Sequence, residues 1–501
     1  MSEEQAEKKN EKATEKPPET PKDEIVETKH TVVINGQSIA YTVTTGRIVL
    51  KEEAEKKGEE AGKSEGEKPK ASIFFVAYTR DGVEDRTQRP LTFSFNGGPG
   101  SSSVWLHLGV LGPRRVDMGD AGSLLPPPYR LVDNEHSLLD ATDLVFIDPV
   151  STGFSRAVPG ERSKEFHGFK KDIESVGDFI RLYTTRYKRW LSPKFLIGES
   201  YGTTRAAGLS GYLQERHGLF LNGIMLVSAI LNFQTADFNP GNDLPFILFL
   251  PTYTATAWYH KQLNAELQKD LHSTLEKVEY FAINAYTHAL MMGAALTEAE
   301  RQRTIRQLVR FTGLSEEYID RTDLRINIFR FAKELLRKQR RTVGRIDSRF
   351  TGIDRDSAGE YFEFDPSIAA ITGPYTAALN DYVRSELSFE SDLPYEILSE
   401  RVYPWSYAEF ENAYVDVAKT LRMAMTTNPS LKVYVANGYF DLATPYFATE
   451  YTFNHLGLDA SLQANIRMGF FEAGHMMYVH MPSLAKLRGE LLDFLGWAGN
   501  R

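Results

Sequence analysis

Short, nearly continuous apolar runs recur along the chain and are separated by turns or by amphipathic segments. Runs of this length predict buried strands, and longer amphipathic segments predict helices. Strands that alternate with helices indicate a largely parallel sheet with helices on both faces, which is the α/β class. The predicted strands are 71–78, 91–95, 143–148, 194–197, 223–231, 431–435 and 466–471. The predicted helices between and after them are 101–108, 171–187, 203–213 and 483–497.

The N-terminal part of the chain carries two strongly charged stretches. Residues 1–24 are almost wholly Glu, Lys, Pro, Thr and Ala, a composition that cannot offset the entropy of folding by burial. We predict a disordered tail there and a flexible charged loop at 52–70. Between them, the apolar runs 32–34 and 39–43 flank an Asn-Gly turn and predict a β-hairpin.

The pattern changes after the strand predicted at 223–231. Residues 263–275, 298–311 and 328–341 have helical periodicity and many charges. We therefore predict a mostly helical cap at 235–395, inserted into a sheet domain that comprises residues 25–234 and 396–501.

Composition and charge narrow the classes of function. The chain has 501 residues, of which 42% are hydrophobic, so it can bury a large core and has room for more than one domain. The net charge of −9 argues against a nucleic-acid-binding protein. The apolar runs are too short to cross a bilayer, so we predict no membrane span.

Cysteine is absent, which excludes disulfides and thiolate chemistry. We find neither a metal-ligand spacing nor a phosphate-binding glycine loop with its lysine, and we predict neither a metal nor a cofactor. The first residues lack the apolar segment of a signal peptide. Localisation therefore stays open, with a periplasmic or secreted protein expected if a signal peptide was removed. The oligomeric state is unknown at this point.

The first chemical signal is Gly-Glu-Ser-Tyr-Gly at 198–202, between a predicted strand and a predicted helix. A serine between two glycines at such a junction is typical of a nucleophile elbow. The glycines permit a turn so tight that the seryl oxygen stands free of the backbone. We therefore predict that Ser200 is a nucleophile.

The partners of a seryl nucleophile follow it in the expected order, acid and then histidine. Asp441 comes directly after the strand predicted at 431–435, and His475 directly after the strand predicted at 466–471. Loops at the carboxyl ends of parallel strands converge at one edge of a sheet. There the imidazole can take the seryl proton while the carboxylate fixes its tautomer.

Acyl transfer also needs donors for an oxyanion. The backbone N–H of Tyr201, the residue after the nucleophile, is one candidate. The glycine turn at 96–100 follows an early strand, and its Gly97-Gly98 pair supplies the second candidate.

Four motifs together resemble those of the serine carboxypeptidases. They are Asn-Gly-Gly-Pro-Gly-Ser-Ser at 96–102, Asp-Pro-Val-Ser-Thr-Gly-Phe-Ser at 148–155, Gly-Glu-Ser-Tyr-Gly at 198–202 and Gly-His-Met at 474–476. On these motifs the chain is identified as a bacterial-type member that lacks cysteines. The resemblance implies an α/β-hydrolase fold, with a mostly parallel central sheet flanked by helices and a helical cap insertion.

The resemblance implies an enzyme that removes single residues from the carboxyl termini of peptides, so the expected partner is a peptide substrate. It makes Ser200, Asp441 and His475 the catalytic triad. The resemblance also assigns the oxyanion hole to the amides of Gly98 and Tyr201. Hydrogen bonds to the terminal carboxylate of the substrate are assigned to three residues, Asn96, Gly97 and Glu199.

One position departs from the family pattern. A glutamate beside an anionic substrate binds it only when one of the two carboxyl groups is protonated. The family usually supplies a second glutamate, and Val110 stands at that position. The neighbouring Arg114 and Arg115 offer a cationic anchor or are solvent-facing charges. We predict a weaker preference for acidic pH than the family norm.

Two alternatives remain open at this stage. Val110 weakens the argument for recognition of a terminal carboxylate, so an esterase, amidase or acyltransferase with the same triad is the first alternative. A catalytically silent binding protein on a hydrolase fold is the more remote one.

Overall fold

A ten-stranded mixed sheet lies at the centre of the computed structural model, which describes residues 21–499 except 57, 120–122 and 124. The strands of the protein are β1 (Glu24–Ile34), β2 (Gln37–Glu55), β3 (Ser64–Arg80), β4 (Leu91–Phe95), β5 (Arg114–Val116), β6 (Leu131–Asp133), β7 (Asp143–Ile147), β8 (Arg156–Ala157), β9 (Lys194–Ser200), β10 (Gly223–Ala229), β11 (Thr342–Val343), β12 (Thr351–Gly352), β13 (Lys432–Gly438) and β14 (Ile466–Phe471). The pairs β5–β6 and β11–β12 form separate small sheets.

Some helices cover the two faces of this sheet, and others form the cap. They are α1 (Val104–Leu106), α2 (Phe169–Arg186), α3 (Tyr201–His217), α4 (Leu244–Tyr259), α5 (Leu271–Phe281), α6 (Thr287–Met292), α7 (Glu298–Thr312), α8 (Glu316–Arg321), α9 (Ile328–Glu334), α10 (Pro366–Ser385), α11 (Ala418–Thr427), α12 (Tyr446–Asn454), α13 (Ala460–Gln463) and α14 (Met481–Gly499). A π-helical turn, His107–Leu111, continues α1. Within the described ranges, none of the helices combines the length and apolar character needed to cross a membrane.

The spatial order of the sheet is β1-β2-β3-β7-β4-β9-β10-β13-β14, with β8 paired to β3. Every neighbouring pair from β7 to β14 is parallel, whereas β1, β2 and β3 are antiparallel. The predicted α/β fold with a mostly parallel sheet and flanking helices is therefore confirmed.

Neighbouring residues of the central strands belong to different apolar cores. Phe74 of β3 lies in one core and Phe75 in the other, and Ile197 and Leu196 of β9 are divided in the same way. Side chains alternate between the faces of a strand, so a strand covered on both faces needs apolar residues at nearly every position. Helices α10 and α14 complete the first core, and α2, α3 and α11 complete the second.

In the N-terminal region, the predicted β-hairpin is confirmed and the predicted flexible loop at 52–70 is wrong. Strands β1 and β2 pair in antiparallel register with Ile34 opposite Gln37, as the Asn-Gly turn predicts. The predicted flexible loop at 52–70 is largely strand, because β2 continues to Glu55 and β3 begins at Ser64. Glu52 lies opposite Lys68, and such cross-strand pairs of opposite charge stabilise an exposed ribbon.

The predicted tail falls mostly outside the described residues. Residues 1–20 are not described, and β1 already begins at Glu24. Just before it, Asp23 accepts a hydrogen bond from Val49 N at 2.8 Å and pairs with Arg186 at 2.6 Å. The end of the predicted tail is thus attached to the sheet by a charged side chain.

The predicted cap divides into two parts. Helices α4 to α9 share an apolar core of their own, which also contains Phe440 and Leu442 from the sheet domain. Helix α10 packs instead into the first core of the sheet, through side chains that include Ile371, Tyr375 and Leu379. Helical periodicity shows that a segment has an apolar face but does not show which core that face joins.

The helix boundaries inside the cap also differ from the predicted ones. Helix α5 begins only at Leu271, because the Asp270 side chain accepts a hydrogen bond from Ser273 N at 2.7 Å and caps it. Helix α9 ends at Glu334 and is followed by a short 3-10 turn.

A buried ion pair ties α2 and α3 to the turn that follows β4. Arg205 of α3 is only 1% exposed, and its Nε lies 2.8 Å from Asp172 Oδ2 of α2. The same guanidinium donates a hydrogen bond to the carbonyl oxygen of Asn96. Arg205 therefore holds the glycine turn against the helix that begins after Ser200.

Replacing Arg205 by Met leaves Asp172 buried without its cation. We expect the free energy of unfolding to fall by about 3–5 kcal/mol, since removal of one member of a buried pair is strongly destabilising. Urea denaturation of Arg205→Met measures this loss. The control is Arg162→Met, which breaks an exposed pair with Glu165 and should cost about 0–1 kcal/mol. Equal losses in the two variants would contradict the assignment.

Candidate active site

Ser200 stands at the junction between β9 and α3 in an unusual backbone conformation. Its φ and ψ are 60° and −129°, and a positive φ is uncommon for a residue other than glycine. The hydroxyl of Thr203 donates to the carbonyl oxygen of Ser200 at 2.6 Å and holds the turn. Strained backbone of this kind persists only where the surrounding structure maintains it, and it is concentrated at functional sites.

Asp441 and His475 are brought together by the loops after β13 and β14. His475 Nδ1 lies 2.7 Å from Asp441 Oδ2, and Asp441 is fully buried. The amides of Ala443 and Thr444 donate to Asp441 Oδ1 at 2.8 and 3.0 Å, and the Thr444 hydroxyl donates to Oδ2 at 2.6 Å. These bonds fix the carboxylate in the orientation in which it contacts the imidazole.

Hydrogen bonds fix the backbone of His475, and a nearby charge changes the pKa of its imidazole. Its amide donates to the carbonyl oxygen of Ile346 at 2.6 Å, and its own carbonyl oxygen accepts from the Ser228 hydroxyl at 2.6 Å. Burial disfavours the charged imidazole, but the adjacent Asp441 outweighs burial and raises the pKa of His475 above its ordinary value. The imidazole is thus placed to accept a proton.

A cavity of about 270 Å³ brings most of the predicted site residues together. Ser200 and His475 line it, as do Asn96, Gly97, Gly98 and Glu199. The apolar side chains of Trp105, Ile371 and Met476 form part of its wall. Asp441 and Tyr201 are buried and do not line this cavity, and Asp441 is connected to it through His475.

The turn after β4 meets the start of α3 backbone to backbone. A Cβ atom at Gly97 would lie 2.3 Å from the amide nitrogen of Tyr201, so only glycine fits. The Tyr201 amide is the first of α3, where N–H groups have no partner within the helix. The neighbouring Gly98 lines the cavity. The two predicted oxyanion donors therefore lie on turns that touch.

Glu199 is a buried carboxyl group with a specific partner. It is 3% exposed, and its Oε2 accepts a hydrogen bond from the Tyr478 hydroxyl at 2.6 Å. Burial raises the pKa of Glu199 to about 7, although His475 and the Tyr478 hydroxyl favour the charged form. A substantial fraction of Glu199 is therefore protonated near neutral pH.

Asn96 keeps one polar atom unused beside Glu199. Its Oδ1 accepts from the amide of Leu106 at 3.1 Å, which fixes the side chain. Its Nδ2 is buried and forms no hydrogen bond of normal geometry among the described residues, although it lies near enough to Glu199 to favour the carboxylate form and so lower its pKa. A buried unpaired donor next to a cavity is available to a ligand.

Sequence reasoning missed Tyr478, which lies three residues after His475. Val110, at the position of the expected glutamate, is fully buried in the apolar core. The Tyr478 ring packs against Gly109, the residue before Val110, since a Cβ atom at Gly109 would lie 2.3 Å from Tyr478 Cε2. The phenol reaches Glu199 from this position. A tyrosine close to the predicted catalytic histidine was the available signal.

The two arginines suggested as an anchor do not line the cavity. Arg114 pairs with Asp133 and with Glu386, the latter at 2.9 Å. Arg115 lines a separate cavity on the other side of Tyr478 and Tyr375. The interpretation of Arg114 and Arg115 as a cationic anchor for the substrate is therefore not supported.

A short segment of the predicted cap, residues 345–349, connects both loops of the site. Leu442 N donates to the carbonyl oxygen of Arg345 at 3.0 Å, and Ser348 N donates to that of Phe440 at 3.0 Å. Ile346 binds the His475 amide, and Arg349 donates to the carbonyl oxygen of Glu472 at 3.0 Å. We call residues 345–349 the bracing segment. No local sequence motif predicts these contacts.

The chain is similar in sequence to known carboxypeptidases. The model of the serine carboxypeptidase family matches residues 57–477. Pheromone-processing carboxypeptidase KEX1 from Saccharomyces cerevisiae is 34% identical over 135 residues, which are 26% of this chain and 17% of that protein. Serine carboxypeptidase-like 45 from Arabidopsis thaliana is 29% identical over 170 residues, which are 32% of this chain and 34% of that protein. The matched region is thus well under two thirds of each relative.

A solved structure extends the likeness to the fold of the whole chain. The crystal structure of KEX1(delta)p, a prohormone-processing carboxypeptidase from Saccharomyces cerevisiae, covers 91% of this chain and 91% of its own, with a TM-score of 0.51 and 16% identity. That identity supports the shared fold alone, while the family model spans the elbow, both partner loops and the whole predicted cap. On that match, the chain belongs to the serine carboxypeptidase family.

Proposed function

We propose that this protein is a serine carboxypeptidase that releases single residues from the carboxyl termini of peptides. The observation that carries the proposal is one cavity lined by Ser200, His475, Asn96 and Glu199, a carboxyl group whose pKa is raised by burial. A seryl nucleophile beside a group that can accept an anion suits a substrate with a free terminal carboxylate. Two similar proteins, from yeast and Arabidopsis, carry carboxypeptidase names.

In the proposed mechanism, Ser200 Oγ attacks the carbonyl carbon of the last peptide bond. His475 takes the seryl proton, and the hydrogen bond from its Nδ1 to Asp441 keeps Nε2 as the accepting nitrogen. The carbonyl electrons move to the oxygen, which the amides of Gly98 and Tyr201 stabilise. Collapse expels the amine, which takes the proton from His475, and water then hydrolyses the acyl-enzyme.

The same proposal assigns the terminal carboxylate to Asn96, Gly97 and Glu199. The unpaired Nδ2 of Asn96 and the N–H of Gly97 are donors, and a neutral Glu199 donates its own proton. Tyr478 occupies Glu199 Oε2 and leaves the other oxygen to carry that proton. The phenol thereby gives Glu199 a hydrogen-bond partner at a place where Val110 provides no second carboxyl group.

We also propose the domain division of a sheet domain with a cap at 235–395, amended so that α10 belongs to the sheet domain. The separate apolar core of α4 to α9 supports the division. The lack of cysteine supports a bacterial-type member, although the relatives named above are from yeast and a plant.

The decisive experiment compares an N-blocked dipeptide with its C-terminal amide. We expect kcat/KM to be at least about tenfold higher for the free acid, since the amide cannot form the charge-assisted hydrogen bonds. Ser200→Ala should lower hydrolysis of both by about 10⁴-fold or more.

Other outcomes would support the alternatives. Equal cleavage of acid and amide, or activity confined to simple esters, would favour an esterase, amidase or acyltransferase. No cleavage, together with no labelling of Ser200 by a fluorophosphonate, would favour a silent binding protein.

The pH dependence of kcat/KM for the free acid should be bell-shaped. His475 accepts the seryl proton only when neutral, and its pKa lies above the ordinary value of 6.5. Glu199 binds a carboxylate only when protonated, and its pKa is about 7. The kcat/KM for the free acid should therefore rise with His475 deprotonation and fall as pH passes about 7. The amide should lack the falling limb, and a sharp maximum at about pH 4–5 would contradict this assignment.

Replacing Tyr478 by Phe tests the phenol as the partner of Glu199. Its hydroxyl lowers the pKa of Glu199 by stabilising the carboxylate, so its removal raises that pKa. We expect the falling limb for the free acid to move to higher pH. Tyr375→Phe is the matched control, because it removes a neighbouring buried phenol that forms no hydrogen bond to Glu199 among the described contacts. An unmoved limb in Tyr478→Phe, or equal shifts in both variants, would refute the role.

A further inference from the structure

The cavity contains a cation that the proposed mechanism does not use. Arg345, the first residue of the bracing segment, lines the cavity together with Ser200 and His475. Its amide donates to the carboxylate of Asp365 at 3.2 Å, and its carbonyl oxygen accepts from Leu442 N. The backbone of Arg345 is therefore fixed on both sides, so its side chain starts from a defined position.

The guanidinium of Arg345 lacks an acceptor within the described part of the chain. Its Nε is buried without a hydrogen bond, and no carboxylate lies within ion-pair distance of it. Arg349, four residues later, shows the usual arrangement, with Asp347 at 2.6 Å. Arg345 is partly exposed, and an N–H group that lacks an acceptor beside a cavity is available to a ligand. A ligand in the cavity would supply the missing acceptor.

The groups around Arg345 favour an anionic ligand. Arg345 lies near enough to His475 and Tyr403 for its charge to act on both. Glu400 also lines the cavity, but its side chain is exposed, and water screens its charge. Glu199 is neutral in the form that binds substrate. The planar fork of an arginine matches a carboxylate in two parallel hydrogen bonds.

A peptide substrate offers carboxylates at two kinds of position. In the proposed function, the terminal carboxylate is bound by Asn96, Gly97 and Glu199. The remaining source is the side chain of an aspartate or glutamate near the scissile bond. Resting on that proposed function, we infer that Arg345 selects substrates with an acidic side chain on one of the two residues that flank the scissile bond.

The test uses N-blocked dipeptides that differ only in Glu against Gln. One pair carries the difference in the released residue and the other in the preceding residue, which distinguishes the two positions. We expect kcat/KM to favour Glu by about tenfold in one pair, because a charged hydrogen bond is gained. In Arg345→Gln that ratio should fall to near one, and in Arg345→Lys it should be partly retained.

Two further variants control for charge and for the cap. Arg341→Gln removes an exposed arginine of the same region outside the cavity and should leave the Glu/Gln ratio unchanged. Glu400→Gln removes the exposed carboxylate of the rim, whose charge water screens, and should change the ratio much less than Arg345→Gln does. Because the ratio compares two substrates on one variant, a general loss of activity does not affect it.

Three results would overturn the inference. They are a wild-type ratio near one in both pairs, an unchanged ratio in Arg345→Gln, and an equal loss for all free acids, which would place the terminal carboxylate on Arg345. Failure of the proposed function is a separate result, in which no free-acid dipeptide is cleaved. In that case calorimetry with Ser200→Ala still compares the Kd values of the Glu and Gln compounds, and equal values would refute the role of Arg345.

Discussion

The parallel register between β4 and β9 is the constraint on which the site depends. Phe95 lies opposite Gly198, so both strands end at the same edge of the sheet, and their next residues are Asn96 and Glu199. Two polar side chains about a hundred positions apart in the chain therefore become neighbours through backbone pairing alone. A slip of one residue would turn every side chain of β9 to the opposite face and remove this juxtaposition.

The cap contributes to the site as a support as well as a cover. Phe440 and Leu442 belong to its apolar core and flank Asp441, so burial of the acid follows from packing of the cap. The bracing segment adds backbone hydrogen bonds to the loops after β13 and β14. Catalytic groups on loops need such support, because a displacement of about 1 Å can cost two orders of magnitude in rate. Packing of the cap and placement of Asp441 and His475 are thus mechanically linked.

The sequence predicted those features that are encoded by neighbouring residues. Strands buried on both faces are continuous apolar runs, and the turn containing Ser200 requires small residues on both sides. The charged ribbon at 52–70 was missed because cross-strand pairing compensates its charges, which a linear pattern does not show. Tyr478 and Arg345 were not predicted because each acts through a contact with a distant part of the chain. The core joined by α10 was unpredictable for the same reason.

The proposed chemistry depends on where one proton lies. The pKa of Glu199 is about 7 and that of His475 is raised by the adjacent Asp441, and the charge of each of the two groups affects the pKa of the other. Only the form with neutral His475 and protonated Glu199 can both accept the seryl proton and bind a carboxylate. A substrate carboxylate beside Glu199 raises the pKa of its near neighbour more than that of the farther His475, since Coulomb interactions weaken with distance. In the proposed mechanism, binding of the correct substrate therefore favours protonation of Glu199 and leaves His475 ready to act as the base.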